Sequence, residues 1–98
     1  MTYSPLADQD LLDIFVYIAA EDPVAASRFI RDLTRKIEWI ALSGFPGVPR
    51  NELSPGLKAL PYRNRCIYFR TTEKTVRILR VLHGHQDVSS GHFKTDET

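Results

Sequence analysis

Two stretches in the first half of the chain carry apolar residues at three- and four-residue spacing, which is typical of helices that bury one face. The first stretch follows a Ser-Pro pair and the second follows an Asp-Pro pair, and both pairs suit the first turn of a helix. We predict helices over Pro5–Ala20 and Pro23–Leu42. Because the link between them is short, they are expected to pack as an antiparallel hairpin.

After the turn-forming segment Ser43–Pro49 the pattern changes from helical to extended. The stretches Leu57–Leu60, Tyr62–Arg70 and Thr75–His83 are predicted strands, because they are rich in β-branched and aromatic residues and a polar turn separates the last two. Apolar residues on both faces of the third stretch predict a central, covered position. Met1–Tyr3 is predicted to add an edge strand.

Together these elements predict a single α+β domain of 98 residues, in which the helix hairpin covers a small antiparallel sheet. A sheet of this size needs such a cover to be stable. The polar tail Lys94–Thr98 is expected to fray. No apolar run has the length of a membrane-spanning helix, and no basic-then-apolar leader opens the chain. Together with a single cysteine, these features favour a reducing compartment, and we expect a cytoplasmic protein.

Side chains that often catalyse reactions are present without the spacing that catalysis needs. Cys66 lies inside a strand pattern, so we expect a buried, inert thiol. The three histidines do not form a recognised ligand pattern, so we predict neither a metal nor a cofactor. The three acidic residues at the start of the first helix are expected on a solvated face. They are Asp8, Asp10 and Asp13.

Basic residues concentrate in the second half of the chain. Residues 1–49 carry seven acidic and four basic side chains, whereas residues 50–98 carry five acidic and nine basic ones. Residues 56–83 include seven basic side chains and only one acidic side chain. Two interpretations of this basic sheet stay open: a solvated face with cross-strand ion pairs, or a surface for an anion or an acidic protein.

Two aromatic residues lie off the apolar stripes of the predicted helices. Tyr17 falls outside the stripe of the first helix, and Trp39 falls outside that of the second. Exposed aromatic side chains often mark contact surfaces. The alternative for Trp39 is a local one, in which it stacks on Arg35 or packs under the loop that follows the helix.

The order of several short motifs resembles that of a known family. Ser-Pro opens the first helix, Asp-Pro-Val-Ala-Ala opens the second, and Gly-Leu-Lys-Ala-Leu-Pro-Tyr-Arg precedes an Ile-Tyr-Phe strand. The run Val-Arg-Ile-Leu-Arg-Val-Leu-His-Gly-His-Gln-Asp completes the set. From residue 2 to about residue 93 the chain resembles the toxins of the RelE/ParE superfamily of type II toxin–antitoxin modules, on the ParE side.

This resemblance implies a helix hairpin packed on a small antiparallel sheet, and a bacterial toxin that a cognate antitoxin neutralises. ParE-type toxins inhibit DNA gyrase and block replication, and they need no catalytic group of their own. RelE-type toxins instead cleave mRNA on the ribosome. A third reading is a non-toxic protein-binding module that keeps the fold, since a fold does not determine a function.

Most of the catalytic constellation of RelE-type toxins is absent from this chain. Arg63 matches one of their arginines, but Gln86 stands where another is expected, and His92 falls near the position of their C-terminal tyrosine. If the chain is an RNase, the resemblance assigns catalysis to Arg63 and His92. Otherwise it implies a gyrase inhibitor without a catalytic residue, which is the function we expect.

The resemblance and the charge pattern together indicate contact residues. Candidate target-binding residues are basic or lie in the C-terminal tail, and they are Arg63, Arg65, Arg80, His83, His85, His92 and Phe93. Tyr17 and Trp39 are expected to contact the antitoxin, whose C-terminal segment is expected to add a helix or a strand. A heterotetramer or larger complex is implied, in which the antitoxin contacts DNA and this chain needs neither nucleic acid nor a membrane.

Overall fold

The computed structural model describes residues 1–84 and 86–96. Helix α1 spans Pro5–Ala19 and helix α2 spans Pro23–Ser43. The strands are Thr2–Tyr3 (β1), Val48–Pro49 (β2), Lys58–Tyr62 (β3), Arg65–Thr71 (β4) and Val76–His83 (β5), and a 3-10 segment spans Ser90–Asp96. The predicted α+β class and the N-terminal edge strand are confirmed. Within the described ranges, neither helix combines the length and apolar character needed to cross a membrane.

Local capping sets both helix starts, as the sequence predicts. Ser4 Oγ accepts a hydrogen bond from the Ala7 backbone N–H at 3.0 Å, and Asp22 Oδ1 accepts one from Ala25 at 3.0 Å. Each cap satisfies an N–H that the first helical turn leaves unpaired. Gly44 follows α2 with a φ of 70°, a left-handed conformation that glycine adopts without strain.

The five strands form one sheet in the order β1-β5-β4-β3-β2. β1 pairs with β5 in parallel, and all other neighbours are antiparallel. β5 is therefore internal where β1 lies beside it, which agrees with its apolar pattern. The turn of the β3–β4 hairpin consists of Arg63 and Asn64, so β4 begins at Arg65 rather than at Tyr62. Arg63 adopts a φ of 55°, a turn conformation that strand periodicity cannot indicate.

Both faces of the sheet are buried, by different parts of the chain. The two helices cover one face, and its core consists of Ala7, Ile14, Leu33, Ile37, Ile40, Ile67, Phe69, Ile78 and Val81. The 3-10 segment and the loop before β3 cover the other face, whose core consists of Leu57, Ala59, Cys66, Tyr68, Leu79, Leu82 and Phe93. The sequence predicts the first layer, and the structure adds the second.

An irregularity in the β4–β5 pairing decides which β5 side chains face the helices. Leu79 is an extra residue between two consecutive pairs, Tyr68 with Arg80 and Phe69 with Ile78. Such a bulge shifts the alternation of faces by one residue. Ile78 and Val81, on either side of the bulge, therefore both lie in the helix-side core. Strict alternation would place them on opposite faces of the sheet.

A largely buried ion pair joins α1 to the C-terminal half of β5. Arg80 donates to both carboxylate oxygens of Asp10, from Nε to Oδ2 at 2.8 Å and from Nη2 to Oδ1 at 2.9 Å. Asp10 Oδ2 also accepts the Val81 backbone N–H at 2.9 Å, and Arg80 Nη1 donates to the His92 carbonyl at 3.1 Å. The hydrogen bonds from Arg80 to Asp10 raise the pKa of Arg80. The expectation of a solvated Asp10 is therefore wrong, because its side chain is only 10% exposed.

Ser4, which caps α1, donates hydrogen bonds to two backbone carbonyls on the same edge of β5. The Ser4 backbone N–H donates to the Ile78 carbonyl at 2.9 Å, and its hydroxyl donates to the Leu79 carbonyl at 2.7 Å. Unpaired groups on a strand edge otherwise invite pairing with another chain. Beyond the short strand β1, the edge of β5 is thus closed by Ser4 and Asp10 instead of by another strand.

Replacing Asp10 with alanine is expected to lower the free energy of unfolding by about 3 kcal/mol, because Arg80 is left with an unpaired charge that is largely buried. Urea unfolding followed by circular dichroism measures the change. Asp13→Ala is the matched control on the exposed side of α1, with an expected effect below about 0.5 kcal/mol. Equal effects of the two substitutions would contradict the structural role of Asp10.

Replacing Phe93 with alanine is expected to cost about 3 kcal/mol, because the ring is buried and packs edge-on against Tyr68 at 5.1 Å between centroids. Thermal unfolding is the measurement, and Tyr17→Ala, which truncates an exposed ring, is the control. If Phe93→Ala proves as harmless as the control, the 3-10 segment is not part of the core.

Candidate functional site

A groove of about 560 Å³ opens between α1 and the adjoining ends of β4 and β5. We call it the α1–β5 groove, and its lining mixes acidic, basic and aromatic side chains. The lining residues are Asp10, Asp13, Ile14, Tyr17, Asn64, Arg65, Arg80, Val81, Leu82, His83 and Gln86. Four of them are residues that the sequence analysis assigns to binding, namely Tyr17, Arg65, Arg80 and His83.

Arg65 is a cation of this groove whose side chain has no hydrogen bond or ion pair to any other described residue. It lies directly opposite His83 in the β4–β5 ladder, so the two side chains leave the same face of the sheet. The Arg65 Nε is buried and makes no hydrogen bond within residues 1–84 and 86–96. Because Nε is shielded, an incoming carboxylate or phosphate would be met by the two terminal nitrogens, which can form charge-assisted hydrogen bonds.

Arg80 lines the same groove but is already neutralised. Its guanidinium is bidentate on Asp10, and its side chain is 16% exposed. It therefore shapes the wall of the groove and holds the 3-10 segment in place through the His92 carbonyl. His83, by contrast, is exposed at the end of β5.

Arg63 points away from the α1–β5 groove and towards α2. Its Nη2 donates to Asp32 Oδ2 at 3.1 Å. Its guanidinium also lies over two rings, with its Cζ 5.1 Å from the Tyr62 centroid and 5.6 Å from the Phe29 centroid. These contacts tie the β3–β4 turn to α2, so Arg63 has a structural role that its turn position in the sequence does not indicate.

Trp39 and Arg63 line a second, shallower groove of about 410 Å³ beside α2. Trp39 is 42% exposed, and its ring lies 5.2 Å from that of Phe45. Lys36, rather than Arg35, stacks on the indole, with Nζ 4.0 Å from the ring centroid. Trp39 therefore packs against the loop after α2 and still presents part of its surface to solvent.

The C-terminal candidates are used within the protein. The Ser89 backbone N–H donates to His92 Nδ1 at 3.1 Å, and the other ring nitrogen lies 3.2 Å from the Gln86 side-chain nitrogen. Phe93 is 1% exposed and belongs to the core opposite the helices. Phe93 therefore offers no contact surface in this conformation. His85, also a predicted target-binding residue, lies outside the described residues.

Tyr17 is 77% exposed and stands at the rim of the α1–β5 groove. The structure thus brings Tyr17, Arg65, Arg80 and His83 together. It places Arg63 and Trp39 in a separate groove, and His92 on the C-terminal 3-10 segment.

The groups that most often act as nucleophiles are unfavourably placed here. Burial raises the pKa of the Cys66 thiol, and burial together with contact to Cys66 raises the pKa of Tyr68 to about 12. Both groups stay protonated at neutral pH, so neither is an activated nucleophile. The buried thiol that the sequence predicts is confirmed. Among the described residues, no group of three or more histidine, cysteine or acidic side chains is arranged to hold a metal ion.

Several basic residues of the sheet make contacts within the protein rather than facing solvent. Arg70 donates to the Ser54 hydroxyl and, at 3.2 Å, to the Pro55 carbonyl. Arg77 donates to the Thr2 hydroxyl at 3.1 Å. With Arg80 engaged by Asp10, the positive charge of the strands is largely used to hold neighbouring segments.

Besides Arg65, three arginines on α2 are left without an internal partner among the described residues. Arg28, Arg31 and Arg35 are exposed, and the described part of the chain supplies them with no hydrogen bond or ion pair. Their spacing of three and four residues places them on one face of the helix. The spacing can be read from the sequence. The net negative charge of the first half of the chain, however, gives no sign of a basic helix face there.

Known proteins resemble this chain in sequence family and in fold. Residues 1–88 match the family described as ParE toxin of type II toxin-antitoxin system, parDE. The solved structure "Chromosomal ParDE TA system from P. aeruginosa" has a TM-score of 0.69 at 22% sequence identity, and the match covers 84% of this chain and 91% of that chain. No curated protein matches the chain.

The structural likeness supports the fold of a helix hairpin on a five-stranded sheet. The family match spans all five strands, both helices and every residue of the α1–β5 groove. The resemblance derived from the sequence motifs is confirmed, and this chain belongs to the ParE toxin family of type II toxin–antitoxin systems.

Proposed function

We propose that this chain inhibits DNA gyrase, blocks replication in the bacterial cytoplasm and is neutralised by a cognate antitoxin. The observation that carries the proposal is the family match over residues 1–88, which includes the whole α1–β5 groove. Arg65 and His83 supply the basic end of this groove, and we assign the contact with the target to it.

The proposed action is binding without chemistry. An inhibitor of this kind needs only a higher affinity for one state of the target than for the others. The α1–β5 groove suits such a role, since the Arg65 guanidinium makes no hydrogen bond or ion pair among the described residues and the Asn64 amide lines the same groove. A complementary acidic segment on the target would satisfy these donors.

Cleavage of RNA is less compatible with the geometry. It would require Arg63 and His92 to act on the same phosphate. Arg63 is held on the helix side of the sheet by Asp32. His92 belongs to the 3-10 segment, whose Phe93 packs on the opposite face. This arrangement favours gyrase inhibition over ribosome-dependent cleavage.

Neutralisation by an antitoxin is proposed to use the exposed aromatic residues of the helix layer. Tyr17 borders the α1–β5 groove, so a segment bound over Tyr17 would also obstruct the approach of a target to Arg65. Trp39 offers a second exposed ring with Arg35 and Lys36 beside it in the second groove. An extended or helical segment with acidic and apolar residues would match both positions.

The toxin is expected to inhibit plasmid supercoiling by purified gyrase, and Arg65→Glu is expected to raise the half-inhibitory concentration about tenfold or more, because it reverses the charge of an unpartnered donor. Gel analysis of supercoiled and cleaved plasmid measures this. Lys74→Glu is the matched control, since it makes the same charge change in the exposed β4–β5 turn.

A parallel reaction with translating ribosomes and mRNA gives the competing outcome. Intact mRNA together with blocked supercoiling supports the proposal. Cleaved mRNA with normal gyrase activity would overturn it and would assign a catalytic role to Arg63 and His92. A loss of inhibition that Lys74→Glu reproduces would show that the groove is not the contact site.

Tyr17→Ala is expected to weaken binding of the purified antitoxin encoded beside this chain by about tenfold, because large exposed aromatic side chains carry much of the energy of protein interfaces. Isothermal titration calorimetry is the measurement. Val48→Ala, an exposed apolar truncation at the opposite edge of the sheet, is the control. Equal affinities of both variants would rule Tyr17 out as an antitoxin contact.

A further inference from the structure

The α1–β5 groove contains two charged side chains of opposite sign that form no ion pair with a described residue. One is Arg65, whose guanidinium also makes no hydrogen bond there. The other is Asp13, which is exposed and accepts a hydrogen bond from the Gln9 side-chain nitrogen at 2.8 Å. The other aspartate and arginine of the lining, Asp10 and Arg80, neutralise each other. The groove thus presents one positive and one negative group, and not a uniformly basic surface.

Regular secondary structure holds both groups in place before any partner binds. Asp13 lies three residues after Asp10 and four before Tyr17, so the three side chains share the face of α1 that lines the groove. Arg65 opens β4 directly opposite His83, and the burial of its Nε restricts the inner part of its side chain. Little conformational freedom is lost when a partner binds to groups held in this way.

The charge of the groove is unfavourable for a nucleic acid. Its lining carries two carboxylates and two guanidinium groups, so its formal charge is zero when histidine is counted as neutral. Proteins bind a phosphate backbone through an excess of cationic side chains, because each cation neutralises one phosphate. A backbone bound to Arg65 would also bring further phosphates towards the Asp13 carboxylate, and such like-charge contacts are repulsive. A partner with a single carboxylate avoids this repulsion.

From this charge pattern we infer that the groove binds a protein segment and excludes DNA. The segment places one Asp or Glu side chain on the terminal nitrogens of Arg65 and a Lys or Arg side chain on Asp13, with an apolar residue against the ring of Tyr17. Asp13 is then a specificity-determining residue, because it repels the competing polyanion as well as attracting the correct partner. The inference deepens the proposed function and rests on it, since it assigns this segment to the gyrase protein instead of to the DNA that gyrase holds.

Two properties of the complex follow from a binding mode with two ion pairs. The toxin is expected to bind gyrase that holds no DNA, since none of the contacts in the groove involves a phosphate. The affinity is also expected to fall only slightly with added salt, because two ion pairs release few counterions compared with a long phosphate track. A groove that follows the DNA backbone predicts the opposite of both.

Biolayer interferometry with the full-length toxin and purified, DNA-free gyrase measures the contact with the protein. The wild-type toxin is expected to bind, and Arg65→Glu is expected to raise the dissociation constant about tenfold or more, because the new carboxylate repels the acidic residue of the segment. Lys74→Glu makes the same charge change in the exposed β4–β5 turn and is expected to leave the affinity unchanged. Circular dichroism confirms that each variant is folded.

Fluorescence anisotropy of a labelled DNA duplex, measured without gyrase, tests the exclusion of DNA. Asp13→Lys is expected to raise the affinity of the toxin for the duplex about tenfold or more, because the groove then carries three cationic side chains and one carboxylate. Asp8→Lys, on a different face of the same helix and outside the groove, is the matched control and is expected to change this affinity much less. Arg65→Glu is expected to leave the duplex affinity of the wild-type toxin unchanged.

Duplex binding by the wild-type toxin that Arg65→Glu abolishes would overturn the inference and assign the groove to nucleic acid. Equal gains from Asp13→Lys and Asp8→Lys would contradict the role of Asp13. Binding to gyrase that requires DNA, or that Arg65→Glu and Lys74→Glu weaken equally, would also contradict the inference. Inhibition of supercoiling in any of these cases would leave the proposed function intact. A toxin that does not inhibit supercoiling would overturn the proposed function, and the duplex measurements would still decide whether the groove excludes DNA.

Discussion

The bidentate bond between the Asp10 carboxylate and the Arg80 guanidinium is the contact on which the site depends. It brings a charged helix residue onto the strand edge that β1 leaves unpaired, where the same carboxylate accepts the Val81 N–H. Through the His92 carbonyl it also reaches the segment that covers the opposite face of the sheet. Helix, sheet and C-terminal segment therefore hold one another in position, and the α1–β5 groove opens beside their junction.

The arginines of the sheet have two different roles. Arg80, Arg70 and Arg63 each bind a neighbouring segment, whereas the buried Nε of Arg65 has no partner in the described part of the chain. Arg28, Arg31 and Arg35 on α2 are exposed, and their side chains form no hydrogen bond or ion pair with any described residue. We propose that the chain has two distinct surfaces for partners. One is the α1–β5 groove, which contains Arg65, and the other is the helix layer with the exposed rings of Tyr17 and Trp39.

Whether a feature can be predicted from the sequence depends on how far apart along the chain the interacting residues lie. The helix starts were predictable because Ser4 and Asp22 act on residues three positions away. The burial of Asp10 could not be predicted, because its partner Arg80 is 70 residues away along the chain. The bulge at Leu79 changes the strand alternation only through pairing with β4. For Phe93, an aromatic residue in a polar tail suits both a contact and a core role, and only the second sheet face shows that it is buried.

The most direct test of the central claim is hydrogen–deuterium exchange of the toxin alone and in the presence of gyrase with plasmid DNA. Binding through the α1–β5 groove predicts slower exchange in the second half of α1 and at the β3–β4 turn, with no change at β2. The contradicting result is unchanged exchange with gyrase, combined with protection of these same segments by translating ribosomes.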